Sequence, residues 1–154
     1  MQNFPHGSGL RKGRVSIGHQ VYLVTTVTCN RQPLFQDLHA GRKVVETLRY
    51  ASDKGNAETL AYVVMPDHIH WLLSLGENAA LSRLVGTMKR HSARRINELN
   101  RITGRCVWQR GFHDHALRSD ESLPAVARYI VANPLRARLV KRIGDYSLWD
   151  AVWL

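Results

Sequence analysis

Cysteines and long apolar runs are scarce in this sequence, and both scarcities narrow the class of protein it encodes. The 154 residues include only two cysteines, Cys29 and Cys106, which lie far apart and outside any CxxC spacing. We therefore expect neither a disulfide scaffold nor a cysteine zinc site, and a reducing cytoplasm is the default environment. The longest apolar runs, such as residues 60–66, are too short to span a bilayer. Residues 1–15 lack the apolar segment of a secretory signal, so we expect none.

Acidic residues are also scarce relative to basic ones. Twelve Asp and Glu stand against 22 Lys and Arg, which gives a net charge of +10 at pH 7. Such an excess on a chain long enough for one domain usually marks a polyanionic partner, most commonly nucleic acid. A membrane surface is the other candidate, but no basic amphipathic segment with a broad apolar face is present. Basic charge also serves solubility, so by itself it indicates phosphate binding and nothing narrower.

Two histidines lie two residues apart inside the most apolar stretch of the chain, AYVVMPDHIHWLLSL. The β-branched and aromatic residues around them predict a strand, on which residues i and i+2 share one face. His68 and His70 would then project side by side while Ile69 points into apolar packing. One interpretation is a pair of ligands for a divalent cation, and the other is two structural histidines with hydrogen-bonded nitrogens.

Hydrophobic spacing predicts strands alternating with helices and reveals no internal repeat or linker. The predicted strands cover residues 21–29, 59–65 and 67–75, with an extended segment at 106–117. The predicted helices cover 36–54, 78–100, a segment from Ser119 or Asp120 to Ala132, and a short basic helix at 135–141. The predicted organisation is a basic arm (1–14), one catalytic domain (15–143) and an aromatic tail (144–154).

The long predicted helix carries a basic stripe. Arg83, Arg90, Arg94 and Arg101 follow spacings of seven, four and seven, and Glu98 is the single acid between Arg83 and Arg105. A solvated helix normally interleaves Glu with Lys, so this stripe favours contact with a phosphate backbone. The basic arm has two interpretations, namely phosphate contact and a disordered terminus.

Further chemistry-bearing residues lie in the last third of the chain. His113 and His115 repeat the i, i+2 pattern in a less regular segment, and we interpret them as structural or as nucleic-acid contacts. Tyr129 and Asn133 are four apart on a predicted helix and hence on one face. From the residues alone, they are an ordinary helix tyrosine and a helix-ending cap before Pro134.

The combination of these motifs resembles a known family. The His-Ile-His of residues 68–70, followed by the Tyr-x-x-x-Asn-Pro of residues 129–134, is similar to the single-tyrosine HUH transposases. Residues 10–14 (LRKGR), 30–35 (NRQPLF) and 108–115 (WQRGFHDH) resemble the REP-associated tyrosine transposases within that family. The resemblance implies an α+β fold of HUH endonuclease type, a ferredoxin-like antiparallel sheet with helices packed on one face.

The same resemblance implies a metal-dependent enzyme that binds palindromic, REP-like DNA hairpins. It would cleave single-stranded DNA beside them through a 5′-phosphotyrosine intermediate. His68 and His70 would be metal ligands, Asn133 the third ligand and Tyr129 the nucleophile. Mobile relatives typically carry Gln in place of Asn133, so a water-bridged contact is an alternative here. The ion would be Mg²⁺, with Mn²⁺ also accepted.

The expected partner is single-stranded or hairpin DNA, bound by a cytoplasmic, nucleoid-associated bacterial protein without membrane attachment. We expect a monomer, with a dimer as the alternative. The competing function is a catalytically silent DNA or RNA hairpin-binding protein of the same fold. The residues predicted to contact DNA are Arg11, Lys12, Arg14, Arg83, Lys89, Arg90, Arg94, Arg110, Arg136 and Arg138.

Overall fold

The computed structural model describes residues 19–153, so the predicted basic arm with Arg11, Lys12 and Arg14 lies outside the described part. The strands are β1 (Val21–Val27), β2 (Ala57–Met65), β3 (His68–Leu75), β4 (His113–Ala116) and β5 (Trp149–Ala151). The helices are α1 (Leu38–Asp53), α2 (Leu81–Leu99), α3 (Leu123–Val131) and α4 (Asn133–Arg136). Short 3-10 turns occupy Cys29–Arg31, Leu34–Gln36 and Ile143–Asp145.

The strands form one antiparallel sheet in the order β4-β1-β3-β2-β5. The first four strands and the first two helices follow one another as β-α-β-β-α-β, which is the ferredoxin-like arrangement. The predicted α+β fold class is therefore confirmed. β5 is an addition that the sequence did not predict, and it pairs with the outer edge of β2.

Helices cover both faces of the sheet. Ile69 and Trp71 of β3 are fully buried against the core formed with α1 and α2. Leu72 points to the opposite face and packs with Ile130 of α3. The prediction that the helices pack on one face therefore holds for α1 and α2 but is wrong for α3. β3 is apolar on both sides, and this lack of hydrophobic–polar alternation is the sequence signal of a sheet that is covered on both faces.

Two predicted helix boundaries and one predicted member of the basic stripe differ from the structure. The N-cap of α3 is Ser122, whose hydroxyl accepts from the Ala125 amide at 3.3 Å, instead of Ser119 or Asp120. α4 ends at Arg136, and Arg138 has a φ of 59°, which is incompatible with the predicted helix at 135–141. Arg101 has a φ of 55° and lies beyond α2, so it does not belong to the basic helix stripe.

Within residues 19–153, none of the helices combines the length and apolarity that a membrane span requires.

The aromatic tail is part of the folded sheet. The Val64 amide donates to the Leu148 carbonyl at 2.8 Å, and the Tyr146 hydroxyl donates to the Val64 carbonyl. Leu148 packs so closely on α1 that a Cβ at Gly41 would lie 2.4 Å from its Cδ1. Burial raises the pKa of Tyr146 to about 12, so its phenol stays protonated as a donor at neutral pH. The tail therefore closes the β2 edge of the sheet.

The two cysteines form a disulfide, although their number and spacing led us to expect no disulfide scaffold. Cys29 follows β1 and Cys106 precedes the segment that leads to β4, with their Cα atoms 6.0 Å apart. The Cys29 amide also donates to the Val107 carbonyl at 2.8 Å. Sequence separation gave no sign of this pairing, because the two segments become neighbours only when β4 returns to the edge of β1.

We expect the disulfide to stabilise the fold measurably, because it closes a loop of 77 residues. Replacing both cysteines (Cys29→Ser with Cys106→Ser) should lower the free energy of unfolding by about 2–4 kcal/mol. Urea denaturation of the oxidised chain and the double variant measures this difference. Reduced wild type should unfold like the double variant. Equal stability of oxidised and reduced wild type would contradict the expectation.

Candidate active site

His68 and His70 lie on the α3-facing side of β3, where that strand begins. β3 is the central strand of the sheet, and the two-residue turn at 66–67 connects it to β2. The two imidazole centroids are 5.1 Å apart with their planes at 82°. His70 is 7% exposed and Ile69 is fully buried on the other side, as the i, i+2 pattern predicted. The strand therefore presents two adjacent imidazoles on one surface.

A neighbouring side chain fixes the orientation of each imidazole ring. The Nδ1 atom of His68 lies 2.7 Å from Oδ1 of Asp67, and this carboxylate oxygen accepts a hydrogen bond from it. The Nδ1 atom of His70 lies 2.8 Å from the Thr25 hydroxyl on β1. With a proton on each Nδ1, the lone pairs lie on the Nε2 atoms, which is the arrangement of metal-binding histidines with supporting partners. Sequence reasoning missed both partners, although Asp67 directly precedes His68.

The turn that carries Asp67 is itself fixed by the end of β1. The Thr28 amide donates to the Asp67 carbonyl at 2.9 Å, and the Thr28 hydroxyl donates to the same atom at 3.1 Å. Arg31 forms an ion pair with the Asp67 carboxylate at 3.3 Å. Burial would raise the pKa of Asp67, but the hydrogen bond and charge of His68, together with Arg31, outweigh it and lower that pKa. The carboxylate is therefore ionised and able to hold His68 at neutral pH.

Burial also determines the protonation state of His70. It lowers the pKa of His70 to about 3, and the charges of His68 and Arg136 act in the same direction. His70 is therefore neutral at physiological pH, as a metal-binding imidazole must be.

Tyr129, Asn133 and Arg136 follow spacings of four and three at the junction of α3 and α4. The backbone at Ala132 stays in the right-handed helical region, so the two helices continue almost without a break. Tyr129 is 39% exposed, and the Arg136 guanidinium lies 4.0 Å from the centre of its ring. The Asn133 amide nitrogen donates to the Ile130 carbonyl at 2.8 Å, which leaves its Oδ1 as the acceptor. The predicted nucleophile and third ligand therefore share one helical face with a guanidinium.

The predicted donor set depends on an asparagine as its third member. Among residues 19–153, no group of three or more His, Cys, Asp or Glu side chains is arranged to hold a metal. The two Nε2 atoms and the Asn133 Oδ1 would supply neutral nitrogen and oxygen ligands, leaving positions for water and phosphate oxygens.

The predicted DNA-contacting side chains fall into separate regions of the described surface. A groove of about 680 Å³ lies between α2 and residues 105–112 and is lined by Lys89, Arg90, Arg105 and Arg110. No acidic side chain of the described residues lines this groove. Lys89 donates to the carbonyls of Gln109, at 2.8 Å, and of Gly111, so it also holds this loop in place.

The other predicted contacts lie outside that groove. Arg83 lines a second groove between α1 and α2, together with His91. Arg94 forms an ion pair with Glu98 at 3.4 Å. Arg136 ends α4 and lies over the Tyr129 ring, and Arg138 follows just after that helix. Of the predicted stripe, Arg83 and Arg90 therefore line different grooves, and Arg94 lines neither.

The second histidine pair lies on the same sheet face but has different partners. His113 is paired in register with Thr25, which in turn is paired with His70. His115 Nε2 lies 3.0 Å from the Glu121 carboxylate, and Glu121 also accepts from the Arg118 amide at 3.0 Å. This contact joins β4 to the start of α3, which agrees with a structural role for His115.

The ferredoxin-like sheet, the paired imidazoles and the tyrosine on the adjacent helix define a domain of HUH type. Comparison with known proteins then gives the family. Residues 17–133, more than half of the chain, match the model of the IS200-like transposases. The chain belongs to this IS200-like transposase family, and the sequence-based recognition is confirmed.

Two relatives refine the comparison. The chain is 30% identical over 98 residues to a Haemophilus influenzae protein assigned to the REP-associated tyrosine transposases. It is also 30% identical over 93 residues to a REP-associated tyrosine transposase of Escherichia coli. Each match covers 58% of this chain, and they cover 56% and 51% of the relatives, so the chain spans about half the length of each.

Two solved structures share the fold. A REP-associated tyrosine transposase bound to a REP hairpin superposes with a TM-score of 0.71 at 21% identity, covering 88% of this chain and 79% of the other. A transposase-like protein of Deinococcus radiodurans gives a TM-score of 0.55 at 23% identity, covering 77% of this chain and 93% of the other. At these identities the likeness establishes the fold.

We expect the buried His70 to make the metal-free chain less stable as the pH falls from about 6.5 to about 3. In this window an unfolded histidine binds a proton while folded His70 does not, so protonation favours the unfolded state. Wild type should lose up to about 1.4 kcal/mol per pH unit more than His70→Gln. Urea denaturation in EDTA buffer at several pH values measures the difference.

The matched control is His39→Gln, which changes an exposed histidine on α1. This variant should follow the wild-type pH profile. Parallel profiles for wild type and His70→Gln would show that His70 is not the titrating group.

Proposed function

We propose that this chain is a metal-dependent single-strand DNA endonuclease and strand transferase that acts beside DNA hairpins. The observation that carries the proposal is the pair of oriented imidazoles on β3, which lie on the sheet face that α3 covers. Tyr129 of α3 shares one helical face with Asn133 and Arg136. A bound divalent cation can withdraw charge from a phosphodiester, and an exposed phenol can act as the nucleophile that attacks it.

The relatives support hairpin DNA as the substrate. One of the two solved structures that share the fold is a REP-associated tyrosine transposase bound to a REP hairpin. The net charge of +10 and the basic groove beside α2 are the electrostatic features that such a ligand requires. We therefore propose an imperfect palindromic DNA hairpin with a single-stranded flank as the ligand of this chain.

The proposed reaction is a direct transfer of a phosphoryl group to tyrosine. The Tyr129 Oη atom attacks phosphorus, and a phosphorus–oxygen bond to the phenol forms as the bond to the 3′ oxygen of the preceding nucleotide breaks. The leaving oxygen keeps the bonding electron pair and takes up a proton to become a free 3′-hydroxyl, while the phenol proton passes to water. The product is a 5′-phosphotyrosine ester, which preserves a reactive phosphodiester for later strand joining.

His68, His70 and Asn133 would hold Mg²⁺ or Mn²⁺ in this proposal. The ion would withdraw charge from a non-bridging oxygen of the scissile phosphate. Asp67 and Thr25 fix the orientation of the two imidazole rings. Because the ligands are two neutral rings and an amide, the ion would retain its full positive charge.

The oligomeric state that we propose is a monomer. β5 and the preceding residues occupy the β2 edge of the sheet, which a second copy would otherwise be able to pair with. A monomer in which Tyr129 and the imidazoles belong to the same chain is consistent with the placement of α3 on the histidine face.

The nucleophile assignment predicts that Tyr129→Phe eliminates the covalent protein–DNA adduct. The rate of adduct formation should fall by more than about a thousandfold, because phenylalanine has no oxygen to form the ester. The assay is denaturing gel electrophoresis with labelled hairpins taken from palindromic repeats near the coding gene, in Mg²⁺ or Mn²⁺. EDTA and His70→Ala should also prevent the adduct.

Tyr50→Phe is the matched control. Tyr50 is 44% exposed on α1 and, like Tyr129, lies under a cation, with Lys54 Nζ 5.5 Å from its ring. This variant should form the adduct at the wild-type rate. Adduct formation by Tyr129→Phe would disprove the assignment, and hairpin binding without any cleavage by wild type would identify a catalytically silent binding protein.

The basic groove predicts phosphate contacts with a defined salt dependence. Arg90→Gln and Arg110→Gln should each reduce the slope of log affinity against log salt by about 1, as expected for the loss of one phosphate contact. Affinity should weaken by a similar factor for hairpins of different sequence. Arg42→Gln removes an exposed charge from α1 and should leave the slope unchanged. Unchanged slopes for both groove variants would place the DNA elsewhere.

A further inference from the structure

Arg136 has a defined position at the candidate active site. Its guanidinium stacks on the Tyr129 ring at 4.0 Å, seven residues further along the same helical face. A guanidinium that stacks through its flat side keeps its N–H groups in the plane, where they can donate to oxygen atoms at the edge. The contact therefore fixes the charge beside the phenol without using all of its hydrogen-bond donors.

The charge of Arg136 has no acidic partner among the described residues. Among residues 19–153, no acidic side chain forms an ion pair with Arg136, whereas Arg31, Arg94 and Arg142 each have one. Arg136 is also exposed, so its guanidinium is accessible to a ligand beside the ring of the proposed nucleophile.

An exposed guanidinium that lies over the ring of the proposed nucleophile, without an acidic partner among the described residues, is available to pair with an anionic ligand. A phosphodiester that reaches Tyr129 would supply that anion. The only group that the proposed reaction brings to this point is the scissile phosphate.

We propose that Arg136 is a catalytic residue that donates to a non-bridging oxygen of the scissile phosphate, opposite the imidazole pair, while its stacked face orients the Tyr129 ring. This inference rests on the proposed function. Negative charge on the phosphoryl oxygens must be stabilised as the phenol approaches, and a fixed guanidinium beside the nucleophile supplies that stabilisation. Lysine in this position would keep the charge but lose the planar stacking and the paired donors.

The test compares a charged with a neutral scissile phosphate. The probe is a DNA hairpin from the palindromic repeats near the coding gene, with methylphosphonate placed at one position of the single-stranded flank at a time. With unmodified DNA and saturating protein, Arg136→Gln should slow adduct formation about 100-fold or more, consistent with loss of a charge-stabilising donor. Arg136→Lys should recover part of the rate, and Arg42→Gln should match wild type.

With methylphosphonate at the cleavage position, the charge that Arg136 contacts is absent. The difference between wild type and Arg136→Gln should then shrink to within about threefold, as a double-mutant cycle requires for two groups that interact. If Arg136→Gln slows both substrates equally, the residue only positions the ring and the proposal is overturned. An unchanged rate on unmodified DNA also overturns it.

A binding measurement distinguishes this proposal from the proposed function. In the Tyr129→Phe background, methylphosphonate at one flank position should weaken binding about tenfold when Arg136 is present and have little effect in Arg136→Gln, because one charge-assisted contact is removed. If wild type forms no adduct but this discrimination is present, the nuclease assignment fails and the phosphate contact stands. If no flank position shows the discrimination, the contact is excluded whether or not the chain cleaves DNA.

Discussion

The pairing register of β1 with β3 is the constraint on which the candidate site depends. It places Thr25 directly opposite His70, so that a hydroxyl meets the imidazole at 2.8 Å. The same register brings the end of β1 to the β2–β3 turn, where Thr28 holds the Asp67 backbone and Asp67 holds His68. A shift of one residue would turn every side chain of β3 to the other face and bury the histidines against α1 and α2.

The two faces of the sheet differ in the size of the apolar core that covers them. The face covered by α1 and α2 contains the larger apolar core, in which Ile69 and Trp71 are fully buried. The face covered by α3 contains a smaller core around Ile130, and the histidines lie on this face where β3 begins. Because the large core holds β3 on the face covered by α1 and α2, the other face can accommodate buried polar groups and an exposed phenol at limited cost to stability.

Basic charge is not confined to one helix. The groove beside α2 is bordered by a loop that Lys89 holds through backbone carbonyls and that the disulfide at Cys106 joins to the end of β1. Arg136 forms a second basic position, over the ring of Tyr129. The described surface therefore offers basic side chains both beside α2 and at the end of α4.

Local sequence patterns determined the elements and the residue types of the site. The β-branched run of β1, the apolar spacing of α1 and α2 and the i, i+2 spacing of His68 and His70 are properties of short segments, and they predicted the strands, the helices and the shared face of the two histidines. The family resemblance implied the α+β class, which the structure confirms. The family resemblance added Tyr129 and Asn133 to the same site. These features were predictable because strand and helix periods depend on neighbouring residues.

Only the tertiary structure decided which segments meet. The Thr25–His70 contact, the Cys29–Cys106 disulfide, the β5 strand and the packing of α3 on the second face join residues that are distant in sequence, and no local pattern encodes them. The contact between Arg136 and Tyr129 needed the exact course of the chain through Ala132, where α3 continues into α4. Strand register and chain direction result from the packing of the whole chain, and they determine which side chains of the short motifs lie next to one another.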